Sequence, residues 1–384
     1  MNLRHPAVLA VASGFGALLV TVALAAAAGA SPATTLSAMW TGTFGNPFAL
    51  GSSMNTAAAI LLIACGFIVA YRASLVNVGG EGQLCLGAIG ATAVGTHLPD
   101  STPTALAIPA VLVAAALGGA AWAAIPAALV VRRGVNEVIT TLLLNFVGLA
   151  LVMLVVHSEA LLRQPVTSSE TLPQSEPLTE PARLPLLGLD GSPATVAIVI
   201  AVVAAALTAL VLRRTVTGLR LAAVGRSLPA GRRLGLRVDR LRFGSLTAAG
   251  AFAGLAGGTL VASAPFVLSE GISSGYGFTG LVAGLLARGS LLAAIALTSV
   301  LALLVAGGIN LQLSAGVPAA ITQMTEAVLV LLVAGSAVAA RTRPPRAAHP
   351  TTRPAPPDPP PDEGVRRGAG AGDRSTAGTE VATR

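Results

Sequence analysis

Long apolar stretches separated by short polar ones are the feature of this sequence that most restricts its fold. Only 10% of its 384 residues are charged, 54% are hydrophobic, and the mean hydropathy is +0.78. Soluble proteins carry roughly 25% charged residues. Because backbone groups in lipid must bond within the chain, such stretches become membrane helices. We predict an all-α, polytopic helical bundle with about ten transmembrane segments. The predicted segments are residues 7–28, 56–71, 75–96, 105–131, 135–156, 194–212, 243–264, 276–287, 290–307 and 317–339. The first could instead be a cleaved signal peptide, and the eighth, with only 12 residues, is either a half-helix or joins residues upstream.

The arginines indicate how these segments are oriented. Nine Arg and a single acid fall within residues 213–242, whereas residues 157–193 carry five acids and two Arg. By the positive-inside rule, the first of these loops is cytoplasmic and the second is external. Ten segments then place both termini in the cytoplasm. We predict a transmembrane domain over residues 1–340 and a disordered cytoplasmic tail over residues 341–384, which are rich in Pro, Gly and Arg.

The composition also excludes several functions. The sequence has no Lys, and a Walker A loop needs its Lys to reach the nucleotide phosphates, so the chain is not a P-loop ATPase. Cys65 and Cys85 lie in apolar segments and suggest neither a disulfide framework nor a metal site. The four His lack metal-ligand spacing. The excess positive charge is confined to one loop and the tail, which does not indicate nucleic-acid binding. We expect no metal, no cofactor and no enzyme activity in this chain.

A polar, glycine-rich stretch interrupts the third apolar segment. Residues 77–86 read N-V-G-G-E-G-Q-L-C-L and place Asn77, Glu81 and Gln83 among three glycines. A carboxylate or amide in hydrocarbon is costly unless it faces protein or water, and glycines weaken a helix. We predict an interrupted membrane helix whose backbone lines a protein-enclosed cavity. The alternative is a helix end near the cytoplasmic surface, with Glu81 extending to the headgroups.

Two short stretches occur twice in the same order. Residues 80–87 resemble residues 277–284, with a glycine at each end, and residues 134–140 resemble residues 316–322. On the predicted topology the first copy of each pair starts inside and the second starts outside. Segments 2–5 and 7–10 would therefore form an inverted repeat. Inverted repeats with broken helices at corresponding positions are typical of transporters and mark the transport path.

Four stretches together resemble a known family. They are N-V-G-G-E-G-Q at 77–83, G-V-N-E-V-I-T-T at 134–141 with L-N at 144–145, G-L-R-L-A-A-V-G at 218–225, and S-G-Y-G-F-T-G at 274–280. The chain resembles the permease subunits of bacterial ABC importers, in the group of branched-chain amino acid and ribose (simple-sugar) permeases. Within this group it is most similar to simple-sugar and nucleoside permeases. The resemblance covers roughly residues 56–339.

The resemblance implies partners and a location. It places the chain in the bacterial plasma membrane as a multi-pass protein. ATP hydrolysis would belong to a separate ABC ATPase subunit. A second permease subunit, identical or homologous, and an extracellular solute-binding lipoprotein would complete the transporter.

The basic loop is the predicted contact with the ATPase. Apolar residues alternate with arginines between residues 218 and 236, a pattern that suits a short amphipathic helix docked in a partner groove. The resemblance places the coupling contact around Gly225, Ala230 and Gly235. The alternative is that the loop serves only as a topology signal and a contact with anionic membrane lipid. The predicted coupling residues are Arg220, Gly225, Arg226, Ala230, Leu234 and Gly235.

Polar and aromatic groups at membrane depth are the predicted substrate path. Amides and hydroxyls suit a sugar, and aromatic rings could stack a nucleobase, so we expect a nucleoside or a simple sugar. A second hypothesis is a secondary, ion-coupled transporter that uses Glu81 and Glu326. Glu326 could instead only fix helix packing. The predicted path residues are Asn77, Glu81, Gln83, Asn145, Tyr276, Phe278 and Glu326, with Asn310 and Gln312 as further candidates.

Overall fold

A computed structural model gives the fold of the chain. The structure describes residues 6–166, 171–287 and 289–318, together with residues 320, 321, 324 and 328. Most of the predicted tenth segment, including Glu326, and the whole predicted tail lie outside the described residues.

Twelve α-helices make up most of the described chain. The short 3-10 turn Glu180–Ala182 lies between two of them, and the described ranges contain isolated β-bridges but no strand. The all-α prediction is confirmed. The helices are α1 (Pro6–Ala27), α2 (Pro32–Phe44), α3 (Pro47–Arg72), α4 (Gly80–Gly95), α5 (Thr104–Arg133), α6 (Glu137–His157), α7 (Ala197–Arg214), α8 (Val216–Arg226), α9 (Leu228–Arg233), α10 (Val238–Val261), α11 (Tyr276–Leu286) and α12 (Leu291–Ala315).

Six of these helices are long and apolar enough to cross a membrane, namely α3, α5, α6, α7, α10 and α12. By contrast, α4 has 16 residues and α11 has 11. At 1.5 Å per residue they are about 24 Å and about 17 Å long, which is shorter than the roughly 30 Å hydrocarbon core. The interruption predicted in the third segment is thus a late helix start, because residues 75–78 are not helical and α4 begins at Gly80.

One expectation about the first 60 residues is wrong. The second span was predicted to start at residue 56, but α3 begins at Pro47 and α2 precedes it over Pro32–Phe44. Asn46 caps α3 by accepting the Ala49 amide at 2.7 Å, and Pro suits the first helical position because it has no N–H to leave unpaired. Polar residues of the first turns, Asn55 among them, are buried within the protein.

Glycines bring the central helices into close contact. α10 packs against α3, α4 and α5, and α11 packs against α3. A Cβ on Gly87 of α4 would stand 2.2 Å from Gly254 Cα of α10, and one on Gly119 of α5 would stand 2.2 Å from the Gly250 carbonyl oxygen. Membrane helices associate through small residues because lipid provides no hydrophobic drive between them. The backbones of these helices therefore touch directly.

A long loop, described over residues 158–166 and 171–196, covers one end of the helices. The amides of Ser175, Leu178 and Leu184 bond to carbonyls of the connection between α10 and α11. Asn55 holds the far end of the loop, since its Nδ2 donates to the Pro193 carbonyl at 2.8 Å and its Oδ1 accepts the Thr195 amide at 3.0 Å. The loop is thus fixed to α3 and α10. The opposite end of the helices carries α8 and α9.

Candidate functional site

The residues before α4 fold around the side chain of Asn77. Asn77 Nδ2 donates to Gln83 Oε1 at 2.8 Å, and Gln83 Nε2 donates back to Asn77 Oδ1 at 3.0 Å. The Gly79 amide donates to the same Oδ1 at 3.1 Å. Both amide side chains are buried. These two predicted path residues therefore bond to each other and fix the start of α4.

Two side chains of α6 hold the same loop from the other side. Asn145 Oδ1 accepts the Gly82 amide at 3.0 Å, and Asn145 Nδ2 donates to the Val78 carbonyl at 2.8 Å. Thr141 Oγ1 accepts the Val78 amide at 3.2 Å. Free backbone groups are costly at membrane depth. These bonds replace the ones that a continuous helix would have made.

Glu81 lies in the first turn of α4, but its carboxylate reaches the other short helix. Oε1 accepts the Gly277 amide at 2.8 Å and the Phe278 amide at 3.2 Å. The first amides of a helix have no partner within the helix, and the positive end of the helix dipole favours a negative group. Glu81, only 2% exposed, therefore caps α11.

The second carboxylate oxygen of Glu81 is less well satisfied. Oε2 is buried and has no hydrogen-bond partner within the part of the chain that the structure describes. The side chain of Ser273, on the connection that leads into α11, lies beside the carboxyl group. The junction thus holds a buried carboxyl group whose Oε1 accepts hydrogen bonds from α11 and whose Oε2 accepts none from the described residues.

The two short helices meet at the matched glycines of the predicted repeat. A Cβ on Gly277 would stand 2.3 Å from the Glu81 nitrogen, and one on Gly80 would stand 3.0 Å from the Gly277 carbonyl oxygen. The N-termini of α4 and α11 are therefore in backbone contact. We call this contact, formed by residues 77–83 of the first copy and 273–278 of the second, the repeat junction.

Around the junction, each short helix packs on a long helix of the other copy of the predicted repeat. α4 packs on α10 and α11 packs on α3, and α10 and α3 are themselves counterparts in the predicted repeat. The second sequence match also has equal local structure, since Gly134 ends α5 at φ +66° and Gly316 ends α12 at φ +64°. Both glycines adopt the left-handed conformation that commonly ends helices.

The other path candidates divide between the junction and elsewhere. Tyr276 and Phe278 begin α11, and Phe278 is 43% exposed. Asn310 donates to the Ala38 carbonyl at 2.7 Å and so joins α12 to α2, and Gln312 is exposed. A role in the substrate path stays a prediction for all of these residues. The structure brings together at the junction Asn77, Glu81, Gln83, Asn145, Tyr276 and Phe278.

The predicted coupling loop forms two helices, where the sequence suggested one. Thr215 caps α8 by accepting the Gly218 amide, and Ser227 caps α9 by accepting the Ala230 amide, both at 3.3 Å. We call α8 and α9 the basic helix pair. Of the predicted coupling residues, Gly225 is partly buried and the rest are exposed, namely Arg220, Arg226, Ala230, Leu234 and Gly235.

The basic helix pair has an inner and an outer apolar face. Leu221 and Val224 are buried against the bundle, whereas Leu219 and Leu234 are 71% and 73% exposed. Large exposed apolar side chains among arginines resemble the anchors of a partner interface. The outer face is therefore available for a partner.

Gly225 joins the basic helix pair to the end of α3. A Cβ on Gly225 would stand 2.3 Å from the Arg72 carbonyl oxygen and 3.4 Å from the Ser74 nitrogen. Residues 75–79, which follow directly, lead into the repeat junction. This contact could not be predicted from the sequence, because it joins positions about 150 residues apart.

Some site residues were missed by the sequence reasoning. Thr141, Ser273 and Asn55 all make or flank buried polar contacts. Thr141 could have been found, since it lies four residues before Asn145 and positions four apart share one face of a helix. Ser273 and Asn55 gave no such signal. No cluster of metal-binding side chains occurs among the described residues.

A cleft opens at the end of the molecule that carries the long loop. Its volume is about 570 Å³, and its charged lining groups are Asp100, Glu180 and Arg183. Arg183 lies over the ring of Phe266 at 5.0 Å. The two ends of the helices therefore differ, with a mixed-charge cleft at one and a basic helix pair at the other.

These features define a polytopic helical membrane protein with two short helices that meet end to end between longer spans. The chain belongs to the family described as branched-chain amino acid transport system permease components, whose model matches residues 49–336. It is 29% identical over 328 residues to the guanosine ABC transporter permease protein of Bacillus subtilis, covering 84% of this chain and 89% of that one.

Two further relatives match over most of their lengths. The glucose ABC transporter permease protein of Haloferax volcanii is 30% identical over 337 residues, covering 83% of this chain and 87% of its own. The nucleoside ABC transporter permease protein of Lactococcus lactis subsp. cremoris is 27% identical over 297 residues, covering 76% and 80%. No solved structure matches the chain significantly.

The family establishes the general function. The chain is a multi-pass membrane protein and the permease subunit of an ABC transporter. It is not an enzyme, since ATP hydrolysis belongs to a separate subunit. The comparisons support the ATP-driven transporter and not the ion-coupled alternative.

Proposed function

We propose that the chain forms the path by which a nucleoside, or a simple sugar, enters a bacterial cell through an ATP-driven importer. The solute is delivered by an extracellular solute-binding lipoprotein, and a second permease subunit, identical or homologous, completes the path. The observation that carries the proposal is the basic helix pair, whose outer face is free while its inner face rests on α3.

The ATPase partner suits the end of the molecule that carries the basic helix pair. Nine arginines lie within residues 213–242, and arginine-rich loops stay on the cytoplasmic side, where ATP is available. Exposed Leu219 and Leu234 offer apolar anchors to a groove on the ATPase. The ten segments predicted from the sequence would put both termini on this cytoplasmic side.

The solute-binding partner suits the other end. The cleft with Asp100, Glu180 and Arg183 is open to the outside on this topology. Charged groups at a rim steer a partner and fix its register more than they add affinity. The long loop beside it is held at both ends by α3 and α10, so it offers a fixed surface for docking.

The choice of solute rests on chemistry and on the relatives. Two curated relatives are named for guanosine or nucleosides and one for glucose. The two aromatic residues at the start of α11 suit stacking against a flat base. We therefore rank nucleosides first and simple sugars second.

The test is uptake in the source organism, with the chromosomal gene deleted or replaced by a variant. Labelled guanosine, adenosine, ribose and glucose are supplied, and an uncoupler collapses the proton gradient while ATP is maintained. We expect gene-dependent uptake of one of these solutes that survives the uncoupler. Uptake that collapses with the gradient would overturn the proposal.

A surface variant tests the ATPase contact without deleting a structured loop. Leu219→Ser combined with Leu234→Ser removes both exposed anchors and leaves Leu221 and Val224 buried in place. Truncation of a hot-spot residue in an interface costs about 2 kcal/mol or more, and about 1.4 kcal/mol corresponds to tenfold, so we expect uptake to fall at least tenfold. Leu172→Ser is the matched control, because Leu172 is an equally exposed leucine on the long loop. Unchanged uptake in the double variant would place the ATPase contact elsewhere.

A further inference from the structure

We infer that Glu81 is the positioning residue of a gate at the repeat junction. In the described state its carboxylate holds α11 against α4, and the path opens when these hydrogen bonds break. The inference rests on the proposed function, since a gate has meaning only in a transport path.

A gate needs a contact that can form and break, and the hydrogen bonds of Glu81 at the repeat junction are such a contact. Glu81 Oε1 accepts two amides of α11, at 2.8 Å and 3.2 Å, so one side chain of the first copy holds the helix end of the second. Charge-assisted hydrogen bonds are strong and directional when buried. Once α11 moves away, its end loses this cap and the carboxylate becomes free to meet water or a solute hydroxyl.

The second short helix is built to move as one piece. It has 11 residues and is preceded by Ser274 at φ +42° and Gly275 at φ +82° and followed by Gly289 at φ +77°. Residues at such backbone angles sit at sharp changes of chain direction, and hinges absorb movement at a few positions of this kind. Its contact with α3 runs over Gly280 and Gly284, which present no side chain to interlock.

The placement of Glu81 links the gate to the basic helix pair. Asn77, Gln83 and Asn145 hold the loop that positions Glu81. The same loop continues from Arg72, whose carbonyl rests on Gly225 of α8. A shift of the basic helix pair would therefore move the nine residues that follow Arg72, and the last of these nine is Glu81, the cap of α11.

Three roles for Glu81 give different results. A group that only stabilises the fold lowers the amount of protein or every activity together. A group that only binds solute raises the KM of uptake. A gate residue lowers ATP-driven accumulation and also raises the passive efflux of solute already inside the cell, because the path then opens without the ATPase.

The experiment uses the same replaced chromosomal gene and measures both directions of transport. Cells are loaded with the labelled solute that the unmodified protein takes up, from among guanosine, adenosine, ribose and glucose. ATP is then depleted with arsenate, and efflux is followed at equal amounts of protein in the membrane. The variants are Glu81→Ala, Glu81→Asp and Glu81→Gln.

We expect Glu81→Ala to raise passive efflux by roughly tenfold, the shift expected from losing a hydrogen bond to a charged group. Glu81→Asp keeps the charge but shortens the reach, and a smaller increase is expected. Glu81→Gln keeps an oxygen that accepts both α11 amides but loses the charge that strengthens these bonds, so its efflux should rise less than that of Glu81→Ala. Glu270→Ala is the control, since this exposed glutamate lies on the connection before α11 and pairs with His157 at the surface, where ion pairs contribute little.

Unchanged efflux in both Glu81→Ala and Glu81→Asp would overturn the gate and leave the importer intact, provided that the unmodified protein shows ATP-dependent uptake. Uptake by the unmodified protein that needs no ATP would overturn the proposed function itself. If Glu81→Ala does not reach the membrane, the efflux of Glu81→Asp and Glu81→Gln decides the question. Raised efflux in either variant supports the gate, and unchanged efflux in both overturns it.

Discussion

At the residue scale, buried polar side chains in this protein serve mainly to replace missing backbone hydrogen bonds. Asn145 supplies both a donor and an acceptor to the loop before α4, and Asn55 does the same for the end of the long loop. Such groups are expensive in a membrane unless paired. Their positions therefore mark where the chain leaves regular helix, and these irregular places are where we propose that the transport path runs.

Removing the Asn145 amide tests this interpretation. Asn145→Ala leaves the Gly82 amide and the Val78 carbonyl without their partner, and each unsatisfied buried group costs about 1–3 kcal/mol, although measured values within membranes average about 0.6 kcal/mol. We expect the purified protein in detergent to unfold at a lower temperature. Gln312→Ala is the control, because Gln312 is exposed, and it should leave the transition unchanged. An unaltered transition in Asn145→Ala would show that water or solute can replace the amide.

The sequence located these residues but not their partners. Asn77, Glu81, Gln83 and Asn145 were recognisable because polar groups are rare in apolar stretches. The acceptor role of Glu81 was not, since its partners Gly277 and Phe278 are almost 200 positions away. Only the matching glycines of the two stretches indicated that they are related.

At the element scale, the close approach of helices depends on glycines within the helices, where helix propensity alone would disfavour glycine. Gly87 sits in the middle of α4 and weakens it as an isolated helix, yet its missing side chain lets α4 touch Gly254 of α10. Hydropathy identified the apolar spans, because length and hydropathy are local properties. It failed at the start of α3, where a cap and a proline at residues 46–47 begin the helix within a polar stretch.

A single methyl group at this contact should be costly. A Cβ on Gly87 meets the backbone of Gly254 at 2.2 Å, and backbone cannot rotate away as a side chain would. Overpacking typically costs about 1–3 kcal/mol, so Gly87→Ala should lower the unfolding temperature in detergent. Gly244→Ala is the matched control, because nothing lies within 4 Å of a Cβ at that position of α10. There the better helix propensity of Ala, up to about 1 kcal/mol, should leave stability equal or higher. Equal stability of Gly87→Ala and Gly244→Ala would show that α4 and α10 are farther apart than described.

At the scale of the whole molecule, the two ends are chemically distinct, and this asymmetry was predictable. Arginine counts in loops are local, so the sequence alone separated the basic end from the end with the acidic loop. The contact between α4 and α11 was not predictable in the same way. It depends on the packing of α4 against α10 and of α11 against α3, which join distant parts of the chain. The predicted inverted repeat would account for the meeting of α4 and α11, since its two copies run in opposite directions and the starts of corresponding helices can face each other.

The orientation of the molecule in the membrane can be tested with single cysteines. The native Cys65 and Cys85 are fully buried, so an impermeant maleimide should not label the unmodified protein. Ser227→Cys lies between α8 and α9, and Asp190→Cys lies on the long loop, and both positions are exposed. We expect Asp190→Cys to be labelled in intact cells and Ser227→Cys only in inside-out vesicles, because the positive-inside rule keeps the arginine-rich end in the cytoplasm. The reverse pattern would place the basic helix pair outside, away from ATP, and the ATPase contact proposed for Leu219 and Leu234 would fail with it.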